Sequence, residues 1–168
     1  MNFNIKYMKK NQNTIGERGE FIFNSRITQY GIFSAYFFGE KAPIVDFLLQ
    51  INDENTPFSC LIQIKSTEQG YNSQKKLKVN VPQKKFEALI KRPLPTYIAG
   101  VDLNKEIVFI TPAFSLNDRQ SSMKTNNKLD YNDPKITQNT LNELKSDIIN
   151  YWNKMKVINI KSSFKSQL

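Results

Sequence analysis

The chain has 168 residues, 24 Lys and Arg against 15 Asp and Glu, a net charge of +9, one cysteine and no histidine. Without histidine there is no Ser-His triad, no histidine general base and no His-ligated zinc, and a lone Cys60 excludes a disulfide framework and a cysteine zinc cluster. The length suits one domain with a buried core, and the basic excess favours a polyanionic partner, nucleic acid ahead of an anionic membrane surface.

The N-terminus, Met1 to Lys10, lacks an apolar signal core, and no run approaches a membrane span, so the expected compartment is cytoplasmic. Residues 1–12 read as a flexible basic arm. Thr14-Ile15-Gly16-Glu17 fits a capping box, which predicts a helix from Thr14 to Arg26 or Ile27. Gly16, Glu20, Phe23 and Ile27 form one helical stripe. Glu17 has a role as the capping partner, whereas Glu20 sits on an otherwise apolar face with no structural role. Gly16 and Gly19 suit a helix backbone that approaches a sheet closely.

Three strands are predicted next, over Ile32–Phe38, Ile44–Ile51 and Phe58–Ser66, the third antiparallel to the second across the turn Asn52–Asn55. Two of them carry charges where burial makes charge costly: Asp46 in the second, and Lys65 with Gln63 on one face of the third. Asp46 and Lys65 therefore form either a site or a structural ion pair. Cys60, in the third strand, reads as an inert buried thiol.

Lys75–Val81 reads as a short edge segment and Gln83–Arg92 as a helix with Phe86, Leu89 and Ile90 on one side, ended by Pro93 and Pro95. This region holds Lys75, Lys76, Lys78, Lys84, Lys85, Lys91 and Arg92 against one acid, Glu87. It is either a solvated face or a nucleic-acid-binding surface contacting phosphates. A hairpin is predicted over Thr96–Asp102 and Glu106–Thr111. Residues 115–138 read as a long polar loop with a short strand at Leu129–Tyr131. Thr140-Leu141-Asn142-Glu143, a second capping box, opens a helix to Lys156 with Leu141, Leu144, Ile148 and Trp152 on one stripe. A final strand is predicted at Val157–Ile160, and residues 162–168 form a basic tail. Residues 13–161 thus make one α/β (α+β) domain in the order α-β-β-β-α-β-β-α, with Tyr151 and Trp152 read as helix-face and core residues.

The combination of Gly16-Glu17-Arg18-Gly19-Glu20 on a helix, Asp46-Phe47 on one strand and Gln63-Ile64-Lys65-Ser66-Thr67 on the next resembles the PD-(D/E)XK nuclease superfamily. In particular it is similar to a small uncharacterised bacterial branch with a Gly-Glu-Arg-x-Glu helix and a Gln-x-Lys-Ser strand. The likeness covers about residues 13–112. It implies a restriction-endonuclease-like mixed central sheet flanked by helices, and a metal-dependent endodeoxyribonuclease that hydrolyses phosphodiester bonds. It implies Mg²⁺ or Mn²⁺ held by Asp46, the Gln63 amide oxygen, the Ile64 carbonyl and Glu20. Glu20, Asp46, Gln63 and Lys65 become the catalytic set, with Lys65 positioning water and offsetting transition-state charge. DNA is the implied partner, with RNA as the alternative, and a homodimer or larger complex in defence against phage or mobile DNA is a family role. The chain departs from the family in two places. Gln63 stands where many relatives have Glu, and no acid directly precedes Asp46, Glu40 being the nearest. Two other readings are a catalytically inactive nucleic-acid-binding or assembly subunit of the same fold, and an immunity protein using the basic face.

Overall fold

The computed structural model describes residues 3–39, 44–113 and 122–156. Helix α1 spans Phe3–Thr28, followed by strands β1 Phe33–Phe37, β2 Phe47–Ile51 and β3 Ser59–Thr67, and helix α2 Gln83–Ile90. Strands β4 Thr96–Asp102, β5 Ile107–Pro112 and β6 Lys128–Leu129 lead to helix α3, Pro134–Lys156. The result is a mixed α+β fold: one six-stranded sheet in the order β1-β2-β3-β4-β5-β6, with three helices. All neighbours pair antiparallel except β3 and β4, which run parallel, with Gln63 opposite Ile98 and Lys65 opposite Gly100. A parallel pair needs a crossover, and the segment containing α2 supplies it.

Alternate residues of the strands feed two apolar layers. Phe47, Leu49, Cys60, Ile62, Ile64, Tyr97, Ala99 and Val101 pack with Phe23 and Ile27 of α1 and with Leu141, Leu144 and Ile148 of α3. Leu61 and Ile98 point the other way, onto Phe86 and Leu89 of α2 and Val81. Gln63 and Lys65 share the Leu61 side of β3, so the sheet delivers both to the α2 side.

Both helix starts differ from expectation. Helix α1 begins at Phe3, not Thr14. No Gly or Pro interrupts residues 3–13, so nothing there stops a helix, and the Thr14 box lies inside it. Glu17 therefore loses its capping role. Helix α3 begins at Pro134, not Thr140. Asp133 Oδ1 accepts from Ile136 N at 3.1 Å, and Pro134 fits the first helical position, so Asp133-Pro134 is the real start signal.

The strand ends move by one to three residues. Strand β2 starts at Phe47, with Asp46 just ahead of it, yet Asp46 N still donates to Ile62 O at 2.8 Å. Strand β6 covers Lys128–Leu129 in place of Leu129–Tyr131. No strand forms over 75–81, where Leu77 makes isolated bridges with Tyr71 and Met123. Helix α2 stops at Ile90 and leaves that residue exposed. The expected strand Val157–Ile160, the tail 162–168 and Glu40 lie outside the described residues.

Trp152 Nε1 donates to Ser59 O at 2.8 Å and its ring stacks on Phe58, tying α3 to β3 as a core residue. Tyr151 donates from its hydroxyl to Pro93 O. Cys60 is fully buried, and burial holds its thiol far above the ordinary value. No helix among the described residues is long and apolar enough to cross a membrane.

Candidate functional site

Glu20, Asp46, Gln63, Ile64, Lys65 and Lys85 line one cleft of about 340 Å³. Three elements and one strand entrance assemble it. The Leu61 face of β3 contributes Gln63 and Lys65, the bend before β2 contributes Asp46, α1 contributes Glu20, and the first turn of α2 contributes Lys85.

Gly19 sets the position of α1. A Cβ on that residue would stand 1.7 Å from Ser66 Oγ and 2.8 Å from Ser66 Cβ, so only glycine lets the helix lie this close to β3. Glu20 is the next residue along. Gly16 meets nothing within 4 Å at the same test. The close approach foreseen for two glycines therefore belongs to Gly19 alone.

At the centre, one oxygen of Asp46 collects two hydrogen bonds. Gln63 Nε2 and Ile64 N both donate to Asp46 Oδ2 at 2.5 Å. Gln63 Nε2 also donates to Ile64 O at 3.0 Å. The other end of that amide, Gln63 Oε1, is buried and has no hydrogen-bond partner. Asp46 and Lys65 form no ion pair: the four found among the described residues are Arg18–Glu68, Arg26–Glu106, Lys128–Asp130 and Lys145–Asp53.

The charges in the cleft act on one another. Burial lifts the Asp46 carboxyl above its ordinary value, against the pull of the Ile64 N–H, Lys65, Lys85 and Gln63. Burial lifts Glu20 too, and the neighbouring Asp46 and Glu17 charges add to the rise. Lys65 moves down, through burial first and then the like charge of Lys85, with Asp46 opposing. Each of the three is pushed toward its neutral form, the pattern of groups held in place at some expense of stability.

Of the seven basic residues expected to contact phosphate, only Lys85 lines this cleft. Lys75 sits at positive φ in a turn closed onto Asn72, and Lys76 and Lys78 flank the buried Leu77 ahead of buried Val79 and Val81, with Lys75 and Lys78 exposed. Lys84 and Lys91 are exposed on and after α2, and Arg92 is half-buried. The inward position of Lys85 was readable from spacing, since Lys85 and the fully buried Leu89 are four apart on one helix face.

Among the described residues, no group of three or more His, Cys, Asp or Glu side chains is placed to hold a metal ion. The cleft has two carboxylates, and further hard oxygen donors on its walls are the Gln63 amide, the Ile64 carbonyl and the Ser66 hydroxyl. A second cavity of about 340 Å³ lies elsewhere, walled by apolar residues such as Val79, Val81, Ile98 and Met123 and by polar ones such as Thr111 and Lys124, with no acid on its walls. Compared with protein-family models, curated proteins and solved structures, the chain matches none.

Proposed function

We propose that the chain is a Mg²⁺- or Mn²⁺-dependent nuclease of restriction-endonuclease-like fold that hydrolyses phosphodiester bonds of DNA. The observation that carries this reading is the meeting of the Asp46 carboxylate, the Gln63 amide and the Ile64 carbonyl at one point beside Lys65. The element order supports it as well: a helix, three antiparallel strands, a crossover helix and a parallel fourth strand, with Asp46 just ahead of the second strand and Lys65 on the third.

The donor set fits a hard divalent cation. Gln63 Nε2 now bridges Asp46 Oδ2 and Ile64 O, as a cation between two oxygens would, while Oε1 is buried without a partner. Turning the amide over brings Oε1 to those two oxygens. Asp46, the Gln63 amide oxygen and the Ile64 carbonyl are then the groups that would hold a divalent ion. Glu20 adds a carboxylate from α1. A cation held there supplies Lewis-acid polarisation of a phosphate oxygen and acidifies water. Lys65 has no ion pair, so its ammonium is available to hold the attacking water and to offset charge building on the phosphate.

Plasmid cleavage tests the reading. The wild type is expected to nick or linearise DNA only with Mg²⁺ or Mn²⁺, and Asp46→Ala and Lys65→Ala are expected to lose the activity. Cutting that persists in both variants removes the assignment. Salt-sensitive binding with no cutting by the wild type would favour the inactive nucleic-acid-binding subunit. A defence role follows from the family resemblance alone.

A further inference from the structure

We infer that Lys85 and Lys65 together form a phosphate-binding clamp on one wall of the cleft. The clamp takes a single phosphate group, that of a nucleic-acid backbone if the nuclease reading holds. It deepens that reading by separating phosphate binding from the acids that would hold the ion.

Both ammonium groups open onto the same space, from two different elements: β3 and the first turn of α2. Neither belongs to any of the four ion pairs among the described residues. The one acid on α2, Glu87, does not serve Lys85, because its Oε1 accepts instead from Gln83 Nε2 at 2.9 Å. Asp46 attracts both lysines but makes no ion pair with either, its Oδ2 accepting from Gln63 Nε2 and Ile64 N. Two cations aimed into one cleft without a bonded anion repel each other, and an added anion turns that repulsion into attraction. Phosphate suits the pair, since it carries up to two charges and several acceptor oxygens that two separate ammonium groups can share. Lys85 is fixed by packing rather than by salt bridges: Phe86 and Leu89, beside it and one turn on, are anchored under the sheet.

The test uses the full chain in low salt with EDTA, so that no divalent cation contributes. Inorganic phosphate is titrated in while the amide resonances of Gln63, Ile64 and Lys65 are followed by NMR. The wild type is expected to show a saturable shift of these signals. Lys85→Met is expected to weaken binding about tenfold, the loss of one charge-assisted contact. Lys154→Met, which removes an exposed charge from α3, is expected to bind as the wild type does. No saturable shift in the wild type overturns the clamp, and so does equal weakening by Lys85→Met and Lys154→Met. Should Lys85→Met misfold, seen as collapse of the spectrum, Lys85→Arg takes its place and must keep affinity within a few-fold. The failure of the nuclease reading is scored separately, by cleavage with Mg²⁺. A wild type that binds phosphate but never cuts keeps the clamp and loses the nuclease.

Discussion

Substituting the two glycines of α1 gives opposite results if Gly19 is what sets the helix on the sheet. Changing a glycine to alanine inside a helix stabilises it by about 1 kcal/mol when nothing else intervenes. Gly16→Ala meets no atom within 4 Å and is expected to show that gain. Gly19→Ala has the same propensity gain but drives its methyl to 1.7 Å from Ser66 Oγ. Rotating the Ser66 hydroxyl away does not cure this, because Ser66 Cβ remains at 2.8 Å, inside the 3.4 Å where ordinary contact begins. The helix or the strand must shift, at about 1–3 kcal/mol for overpacking of this kind. The propensity gain cancels between the two variants, so Gly19→Ala is expected to be about 1–3 kcal/mol less stable than Gly16→Ala. Urea unfolding of both, read as midpoints at equal slope, measures the difference. Adding Ser66→Gly is expected to restore much of the loss, a favourable coupling of about 0.5–3 kcal/mol. Equal midpoints for Gly16→Ala and Gly19→Ala would refute the close approach.

Three further expectations follow from the same geometry. Asp46→Asn is expected to stabilise the metal-free protein relative to the wild type as pH rises. The folded carboxyl lies above its unfolded value near 3.8, so the folded state holds the proton better. The wild type thus loses ground as pH climbs through that window and stays behind above it. Melting temperatures of both proteins between pH 3.5 and 7 check this, and a gap that narrows with pH contradicts it. Cys60 is expected to ignore a thiol reagent in the native protein and to react once per chain after unfolding, because it is fully buried; fast native labelling would mean the β3 core opens readily. Trp152→Phe keeps the stacking on Phe58 but leaves Ser59 O without its donor, and is expected to lower stability by about 1 kcal/mol in the same urea assay.

Much of the sheet was legible because its strands alternate or run apolar over short lengths between turn residues. Val45, Phe47 and Leu49 are buried alternately, and β3 is buried on both faces from Cys60 to Ile64, as a short continuous apolar run demands. The same patterning made Asp46, Gln63 and Lys65 conspicuous before any geometry was known. Helix starts were less legible. Thr14 and Thr140 each have Glu three residues on, a pattern that also arises inside helices, and the flanking residues then decide. Asp133-Pro134 carried the stronger signal and sat within a stretch read as loop. Long-range pairing was not legible: nothing local says that Leu77 meets both Tyr71 and Met123. Nor does composition separate Lys85 from its six basic neighbours; that required combining its helical spacing from Leu89 with the knowledge that α2 lies on the Lys65 side of β3.

A charge on a core strand can be there for the fold or for a ligand, and the contacts distinguish the two. A structural pair would have Asp46 and Lys65 bonded to each other, since a buried charge left without its partner is costly. Here the described ion pairs lie elsewhere, Asp46 is held by an amide and a backbone N–H, and Lys65 feels the like charge of Lys85 more than the opposing charge of Asp46. Glu20, brought in on a helix that only Gly19 lets so close, adds a second acid whose ionisation burial and the Asp46 charge disfavour. Burial, joined by like charge at Glu20 and Lys65, pushes Glu20, Asp46 and Lys65 toward their neutral forms. On the proposed nuclease reading, a divalent ion beside the acids and a phosphate group beside the amines would relieve both.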